Sequence, residues 1–168
     1  PAPSLDEVLF SGFFPPIYDR TLEASTWLDG YLRTYVERDV RTISNIGDLD
    51  AFLRFLGLCA GRSGQLVNQT SLSADAGIDQ TTVRRWISIL QASYVVTTLS
   101  PHFENFSRRL VKSPKLYFTD TGLLCRLLGI RTPGDLRNHP LRGPIFETFV
   151  VGEFRKLYLH HGQRPPLS

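Results

Sequence analysis

The chain has 168 residues, of which 42% are hydrophobic and 21% are charged, and its formal net charge is +3. This composition is ordinary for a globular protein with one core, or with one domain and part of another. No apolar run approaches the roughly 20 residues of a membrane-spanning helix, and no secretory signal is visible, which excludes a helical membrane protein and argues against export. We therefore expect a cytoplasmic location.

The two cysteines and the first residue of the chain each support a further prediction. Cys59 and Cys125 stand apart within apolar helical patterns, so they form no metal framework and are expected to be buried reduced thiols. The chain contains no Met and begins with Pro1. Because translation begins with Met, we expect this chain to be part of a longer protein.

Residues 1–47 are predicted to form an N-terminal helical region. Leu5, Val8 and Phe10 predict one or two helical turns, which Pro15 and Pro16 end because proline cannot continue a helix. Residues 21–46 carry apolar side chains at helical spacing and predict one long amphipathic helix. The aromatic residues at positions 13, 14 and 18 are expected to pack against another part of the protein.

Residues 48–130 hold the pattern on which the functional argument depends. Asp48 is expected to cap a helix that Gly61 and Gly64 end. Its predicted buried face consists of Leu49, Phe52, Leu53, Leu56 and Cys59. Residues 69–76 then predict a short helix with Leu72 and Ala76 facing inward, and Gly77 supplies the turn to the next helix.

The second helix of this pair has two distinct faces. Asp79 is a predicted N-cap, because its carboxylate can accept from free N–H groups of the first turn. One face is apolar and is predicted to be buried: Val83, Trp86, Ile87, Leu90 and Tyr94. The opposite face carries Thr81, Arg84, Arg85, Ser88 and Gln91. Hydroxyl, guanidinium and amide groups can reach base edges and phosphates in a major groove.

A strand, a basic loop and a second strand follow this helix. That order is typical of a winged helix-turn-helix with a small β-wing, so the expected fold is mainly α. Residues 77–115 contain six basic and two acidic residues, a net charge of +4, whereas the rest of the chain sums to −1. The positive charge therefore lies on the predicted reading helix and wing. The candidate nucleic-acid-binding residues are Thr81, Arg84, Arg85, Ser88, Arg108, Arg109, Lys112 and Lys115.

The remainder of the chain is predicted to be helical after a short connection. Asp120 can cap a leucine-rich helix that Gly129 ends, and an N-cap is a more economical role for Asp120 than a catalytic one. Residues 131–142 have the polar composition of a linker and mark a predicted domain boundary. Residues 143–168 open with a helix and are expected to begin a further domain. The apolar face of that helix carries Phe146, Phe149, Val150, Phe154 and Leu157.

Several segments together resemble a known family. The matching segments span residues 12–154 and read VERDV at positions 36–40, TTVRRWISILQASYVV, RRLVKSPKLYFTDTGLL and GPIFETFV. They resemble the C-terminal region, a domain of unknown function, of prokaryotic P-loop ATPases of the AAA+ type. One departure concerns the start, where that family has a Gly-Gly-aromatic-Pro turn and this chain has Ser-Gly-Phe-Phe-Pro at positions 11–15.

The resemblance implies a longer parent protein. That parent is expected to have an N-terminal ATPase that uses ATP and Mg²⁺, with residues 1–47 as its lid or linker. A restriction-endonuclease-like α/β domain would follow, truncated here to residues 143–168. In such a domain Glu147 is a weak candidate metal ligand, and only in the full-length protein.

The chain itself lacks the motifs of enzyme chemistry. It has no G-x-x-x-x-G-K-[ST] phosphate-binding loop, and its four histidines lack metal-ligand spacing. We therefore predict no catalytic residue, metal or cofactor in this chain and no enzymatic activity for it alone.

Three hypotheses of function remain. The first is a nucleic-acid-binding winged helix, with double-stranded DNA as partner. The second is a protein-interaction or oligomerisation module, in which the basic face meets an acidic protein, the missing ATPase domain or another copy of the chain. The third is a fragment of a metal-dependent nuclease.

Overall fold

The computed structural model describes residues 2–35, 48–100 and 113–163. Within these ranges the chain is mainly helical with a two-stranded antiparallel sheet, as the sequence predicts. The helices are α1 (Leu5–Ser11), α2 (Pro15–Asp19), α3 (Ala24–Thr34), α4 (Leu49–Ala60), α5 (Gln69–Ala76), α6 (Gln80–Ala92), α7 (Thr121–Leu127), α8 (Pro133–Arg137) and α9 (Arg142–His160). The strands are β1 (Val96–Leu99) and β2 (Lys115–Phe118).

Side-chain caps fix the starts of most of these helices. Asp48, Asp79 and Asp120 each accept a hydrogen bond from the backbone N–H three residues on, which confirms the three predicted N-caps. Asn68 does the same for α5. Each cap satisfies a first-turn N–H that has no partner inside its own helix.

One hydrophobic cluster joins the described segments from Leu9 to Ile145. Its densest part lies between α4 and α6, where the rings of Phe52 and Phe55 meet Trp86 edge-on at 5.2 and 5.3 Å between centroids. Both predicted thiols are buried in it, and burial raises the pKa of Cys59 and of Cys125 to about 12.

Helix α7 lies at the centre of the molecule. It packs against α1, α3, α4, α9 and β2, and residues 121–125 are all buried. The approach to α1 is close because residue 122 is glycine: a Cβ there would lie 2.7 Å from the Ser11 carbonyl oxygen. Gly122 therefore sets how closely α7 and the end of α1 can pack.

The sheet is extended by a segment that precedes α5. In the antiparallel pair, Val96 lies opposite Phe118 and Leu99 opposite Lys115. On the other edge of β2, Gly64 N–H donates to the Leu116 carbonyl at 2.7 Å, and Val67 N–H donates to the Pro114 carbonyl at 2.8 Å. Residues 64–67 thus run beside β2 and form an isolated antiparallel bridge between Leu66 and Lys115, in addition to the two-stranded sheet.

Some predictions are wrong, and others concern residues that the structure does not describe. Tyr94 is 83% exposed, not buried, because α6 ends at Ala92 and the chain turns away there. Leu53 is 39% exposed, and Phe55 is buried on α4 in addition to the predicted residues. Residues 36–47 and 101–112 lie outside the described residues, and with them the VERDV motif and the second part of the long helix predicted at 21–46. The described part of that helix is α3, which begins at Ala24.

The C-terminal third is also more structured than its composition indicates. The segment at 131–142, which reads as a polar linker, contains α8, whose Leu136 is fully buried against the rest of the core. On α9, Ile145 and Thr148 are buried, whereas Phe146, Val150, Phe154 and Leu157 are 41–55% exposed. Within the described residues no helix is long and apolar enough to cross a membrane.

Candidate nucleic-acid interface

A tight turn joins α5 to α6 and fixes the angle between them. Gly77 adopts a left-handed conformation with φ of +68°, which glycine accepts without strain. Ile78 N–H donates to the Ser73 carbonyl at 3.1 Å, and the Ser73 hydroxyl donates to the Ile78 carbonyl at 2.5 Å. Asp79 then caps α6, so three residues end one helix and begin the next.

Helix α6 presents a buried face and a polar, exposed face. Val83, Trp86, Ile87 and Leu90 are at most 8% exposed, which confirms that part of the predicted core face. The four predicted contact residues of this helix, Thr81, Arg84, Arg85 and Ser88, are all exposed. The described residues place no carboxylate within ion-pair distance of either arginine. Arg84 donates to the Thr81 hydroxyl at 3.3 Å, on the same exposed face of the helix.

A groove lies between α6 and the base of the hairpin. It has a volume of ≈ 280 Å³ and is bordered by Arg84, Ser88 and Gln91 of α6, Thr98 of β1 and Ser113. The Gln91 side-chain amide donates to the Thr98 hydroxyl at 2.9 Å and ties the helix to the strand. Val67, Ile87 and Pro114 also line the groove, so its hydroxyl and amide groups stand among apolar side chains next to the arginine.

Lys115 does not join this surface. Its Nζ lies 2.9 Å from Oε1 of Glu147 on α9, and the same oxygen accepts from the Tyr117 hydroxyl at 2.6 Å. The hydrogen bond from Tyr117 and the ion pair with Lys115 lower the pKa of Glu147, and the hydrogen bond to Glu147 raises the pKa of Lys115. Lys115 and Glu147 thus neutralise each other.

The two faces of the sheet meet different helices. Thr98 points to α6, where it accepts from Gln91. Thr97 and Tyr117 are cross-strand partners on the other face, and both contact α9: Arg155 donates to the Thr97 hydroxyl and Tyr117 donates to Glu147. The hairpin is therefore held between α6 and α9. Arg108, Arg109 and Lys112, the three predicted wing residues, lie outside the described residues.

Asp120 and His139, for which the sequence favoured no chemical role, both have structural partners. Asp120 accepts from Leu123 N–H at 2.8 Å and from Phe13 N–H at 2.6 Å, and its burial raises its pKa. Nδ1 of His139 accepts from Leu141 N–H at 3.2 Å. Among the residues that the structure describes, no group of three His, Cys, Asp or Glu could hold a metal ion.

Sequence reasoning missed the contacts that attach α9. Ser63 and Thr148 form a buried hydroxyl pair at 3.0 Å, and Arg155 reaches Thr97. These partners are 85 and 58 residues apart, so no local pattern links them. Their only signal was a polar residue within an otherwise apolar stretch, as at Thr148.

These observations define a mainly helical domain with a helix–turn–helix pair beside a small antiparallel sheet. The chain belongs to the family described as Domain of unknown function (DUF8612), which matches residues 2–134. It is 34% identical over 154 residues to "Uncharacterized protein Rv2008c" of Mycobacterium tuberculosis and to "Uncharacterized protein Mb2031c" of Mycobacterium bovis. The match covers 90% of this chain and 35% of each relative, so the chain spans about a third of their length. No solved structure matches the chain.

Proposed function

We propose that residues 48–130 form a winged helix-turn-helix that binds double-stranded nucleic acid. The observation that carries this proposal is the pair of exposed arginines, Arg84 and Arg85, on the second helix of a helix–turn–helix unit. Guanidinium groups there can contact phosphates and base edges when the helix enters a major groove.

The order of the elements supports the proposal. A winged helix has a first helix, a short strand, the two helices of the helix–turn–helix and a two-stranded wing. Here α4 is followed by residues 64–67, which pair with β2, and then by α5, α6, β1 and β2. The connection between β1 and β2 carries Arg108, Arg109 and Lys112, a composition suited to phosphate contact.

Fluorescence anisotropy with a labelled duplex of mixed sequence tests the proposal. We expect affinity to fall steeply between about 50 and 200 mM salt, because bound phosphates release condensed counterions. The double variant Arg84→Glu/Arg85→Glu should weaken binding at least about tenfold, since it removes two phosphate contacts and adds repulsion.

A charge-matched control variant distinguishes the loss of contacts on α6 from a general effect of net charge. Arg54 on α4 and Arg131 after α7 are exposed and are not part of α6, and Arg54→Glu/Arg131→Glu changes the charge by the same amount. This control should retain most of the wild-type affinity. A flat salt response, or equal losses in both double variants, contradicts the proposal.

A second candidate is a protein-interaction or oligomerisation module, which the exposed apolar residues of α9 favour. Four large apolar residues of that helix are 41–55% exposed, more than a helix surface in water usually carries together. In this case Val150→Ser/Leu157→Ser on α9 would change assembly, and Arg84→Glu/Arg85→Glu would leave affinity for the duplex unaltered. Light scattering coupled to size-exclusion chromatography, beside the anisotropy measurement, distinguishes the two.

For the parent protein we propose a AAA+ type P-loop ATPase with a nuclease-like domain after α8, from the resemblance of the sequence motifs. We propose no catalysis by the chain itself. The proposal predicts that the full-length protein binds a fluorescent ATP analogue with Mg²⁺ and that this chain does not. Incubation of the chain with plasmid and Mg²⁺ should give no cleavage; cleavage would favour the nuclease alternative.

A further inference from the structure

Glu147 occupies an unusual position for a surface carboxylate. It lies on α9, after the part of the chain that matches the family domain, yet it contacts β2 within that domain. A single oxygen, Oε1, accepts from both Lys115 and Tyr117. Oε2 faces Gly64, where a Cβ would lie 3.6 Å away.

Tyr117 holds this carboxylate in place. The tyrosine is only 2% exposed, so its hydroxyl depends on a protein acceptor. If Glu147 rotated into solvent, the hydroxyl would lose that acceptor, which is unfavourable for a buried donor. Thr148, the next residue along α9, forms a buried hydrogen-bonded pair with Ser63 and holds this part of the helix in place. Glu147 therefore stays beside Lys115.

Lys115 lies where a nucleic-acid phosphate could reach it. Lys115 is the first residue of β2, at the end of the connection that carries the three basic wing residues. Its side chain is 42% exposed, so a phosphate could reach it. Glu147, at 44% exposure, instead places a negative charge 2.9 Å from the ammonium group.

We propose that α9 restrains nucleic-acid binding through Glu147, which withholds Lys115 from phosphate at the base of the hairpin. This inference rests on the proposed nucleic-acid function and adds an autoinhibitory contact to it. The docked carboxylate removes one cation from the base of the hairpin, on the side that faces α9. The α6 face, on the other side of the hairpin, keeps Arg84 and Arg85 for phosphate.

Glu147→Gln tests the restraint with little change in structure, because the glutamine carbonyl can still accept from Tyr117. Against a labelled duplex, the variant should bind roughly fivefold to tenfold more tightly near 0.1 M salt. The slope of log K against log salt should become steeper by about 0.9, which is the signature of one additional phosphate contact. Unchanged affinity and slope overturn the inference.

The charge-neutral double variant Glu147→Gln/Lys115→Gln provides the sharper comparison. It has the same local charge as wild type, so it should return to the wild-type slope if Lys115 makes no phosphate contact in wild type. A slope shallower than wild type by about 0.9 shows that Lys115 already binds phosphate and overturns the inference. Glu153→Gln is the matched control, since Glu153 pairs with Lys156 on the same helix. An equal gain from Glu153→Gln would assign the effect to net charge alone and contradict the proposal.

A measurement without nucleic acid separates this inference from the proposed function. In wild type the amine of Lys115 should react slowly with an acylating reagent, because its pairing with Glu147 favours the protonated form. In Glu147→Gln its rate should rise severalfold relative to Lys156, as followed by peptide mass spectrometry. Absence of duplex binding with this rise intact would remove the proposed function; absence of the rise would remove the restraint.

Discussion

At the scale of single residues, Asp120 joins two parts of the chain that are more than a hundred positions apart. One carboxylate oxygen accepts from Leu123 N–H and starts α7, and the other accepts from Phe13 N–H at the end of α1. Gly12 allows this approach, because a Cβ there would lie 2.4 Å from the Asp120 carboxylate. The role of Asp120 is therefore to position the N-terminal segment.

Two substitutions of Asp120 should distinguish the contributions of its two hydrogen bonds to stability. Asp120→Ala leaves both N–H groups without an acceptor and should lower the free energy of unfolding by about 2–4 kcal/mol. Asp120→Asn retains one acceptor oxygen and should lower it by about 1–2 kcal/mol. Urea denaturation followed by circular dichroism measures both. Equal losses for the two variants would mean that the acceptor oxygen retained by asparagine contributes nothing to stability.

At the scale of elements, several helices end in the same motif. After α2, α5, α6 and α7 the chain makes paired backbone bonds of the Schellman type, and an apolar residue follows each turn: Leu22, Ile78, Val95 and Ile130. The left-handed position of this motif is Gly77 after α5 and Gly129 after α7, with φ of +68° and +72°. After α6 it is Tyr94, with φ of +58°. After α2 it is Thr21, with φ of +51°. Tyr94 and Thr21 therefore carry strain that the two glycines avoid.

Replacement of Tyr94 should stabilise the protein. The side chain is 83% exposed, so little packing is lost. Tyr94→Gly should raise the free energy of unfolding by about 0.5–1 kcal/mol, the left-handed strain less the entropy of glycine. Tyr94→Ala keeps the Cβ and should bring no comparable gain. Thermal unfolding of the three proteins provides the check, and a loss on Tyr94→Gly would show that the tyrosine makes a favourable contact.

At the scale of the whole molecule, ion pairs connect segments that are distant in sequence. Buried Asp6 of α1 accepts from Arg142 of α9 at 2.8 Å and from Arg137 of α8 at 3.3 Å. Asp29 of α3 pairs with Arg126 of α7, and Glu147 of α9 pairs with Lys115 of β2. The N-terminal and C-terminal elements thus share charged contacts as well as a core.

These pairs predict a loss of stability in acid. Burial alone would raise the pKa of Asp6, but hydrogen bonds from Arg142 and Arg137 outweigh this effect and lower it. A hydrogen bond from Arg126 lowers the pKa of Asp29, and one from Tyr117 lowers the pKa of Glu147. A carboxylate whose pKa is lower in the folded state stabilises the protein fully when the pH is above its pKa in the unfolded chain, which is 3.8 for Asp and 4.5 for Glu. This stabilisation is lost as the pH falls through the pKa of the folded state. Unfolding free energy should therefore decline from pH 5 towards pH 3. Asp6→Asn should flatten that decline, and a parallel curve would contradict the assignment.

Local signals account for what could be predicted from the sequence. The bounds of α5, the caps at Asp48, Asp79 and Asp120, and the apolar face of α6 up to Leu90 all depend on neighbours within one or two turns. The failures depend on distant partners. Leu136 is buried because α1 lies over α8, and Lys115 is occupied because α9 supplies Glu147. Neither partner can be inferred from spacing along the chain.

The central place of α7 has a consequence for biosynthesis. Leu9 is fully buried, and its carbonyl accepts from the Cys125 thiol 116 positions later. A ribosome that adds about 5–20 residues per second needs roughly 6–25 s to cover that distance. Throughout this interval α1 has no native surface on which to pack. Nascent chains should therefore recruit holding chaperones at α1, and release them once α7 leaves the exit tunnel.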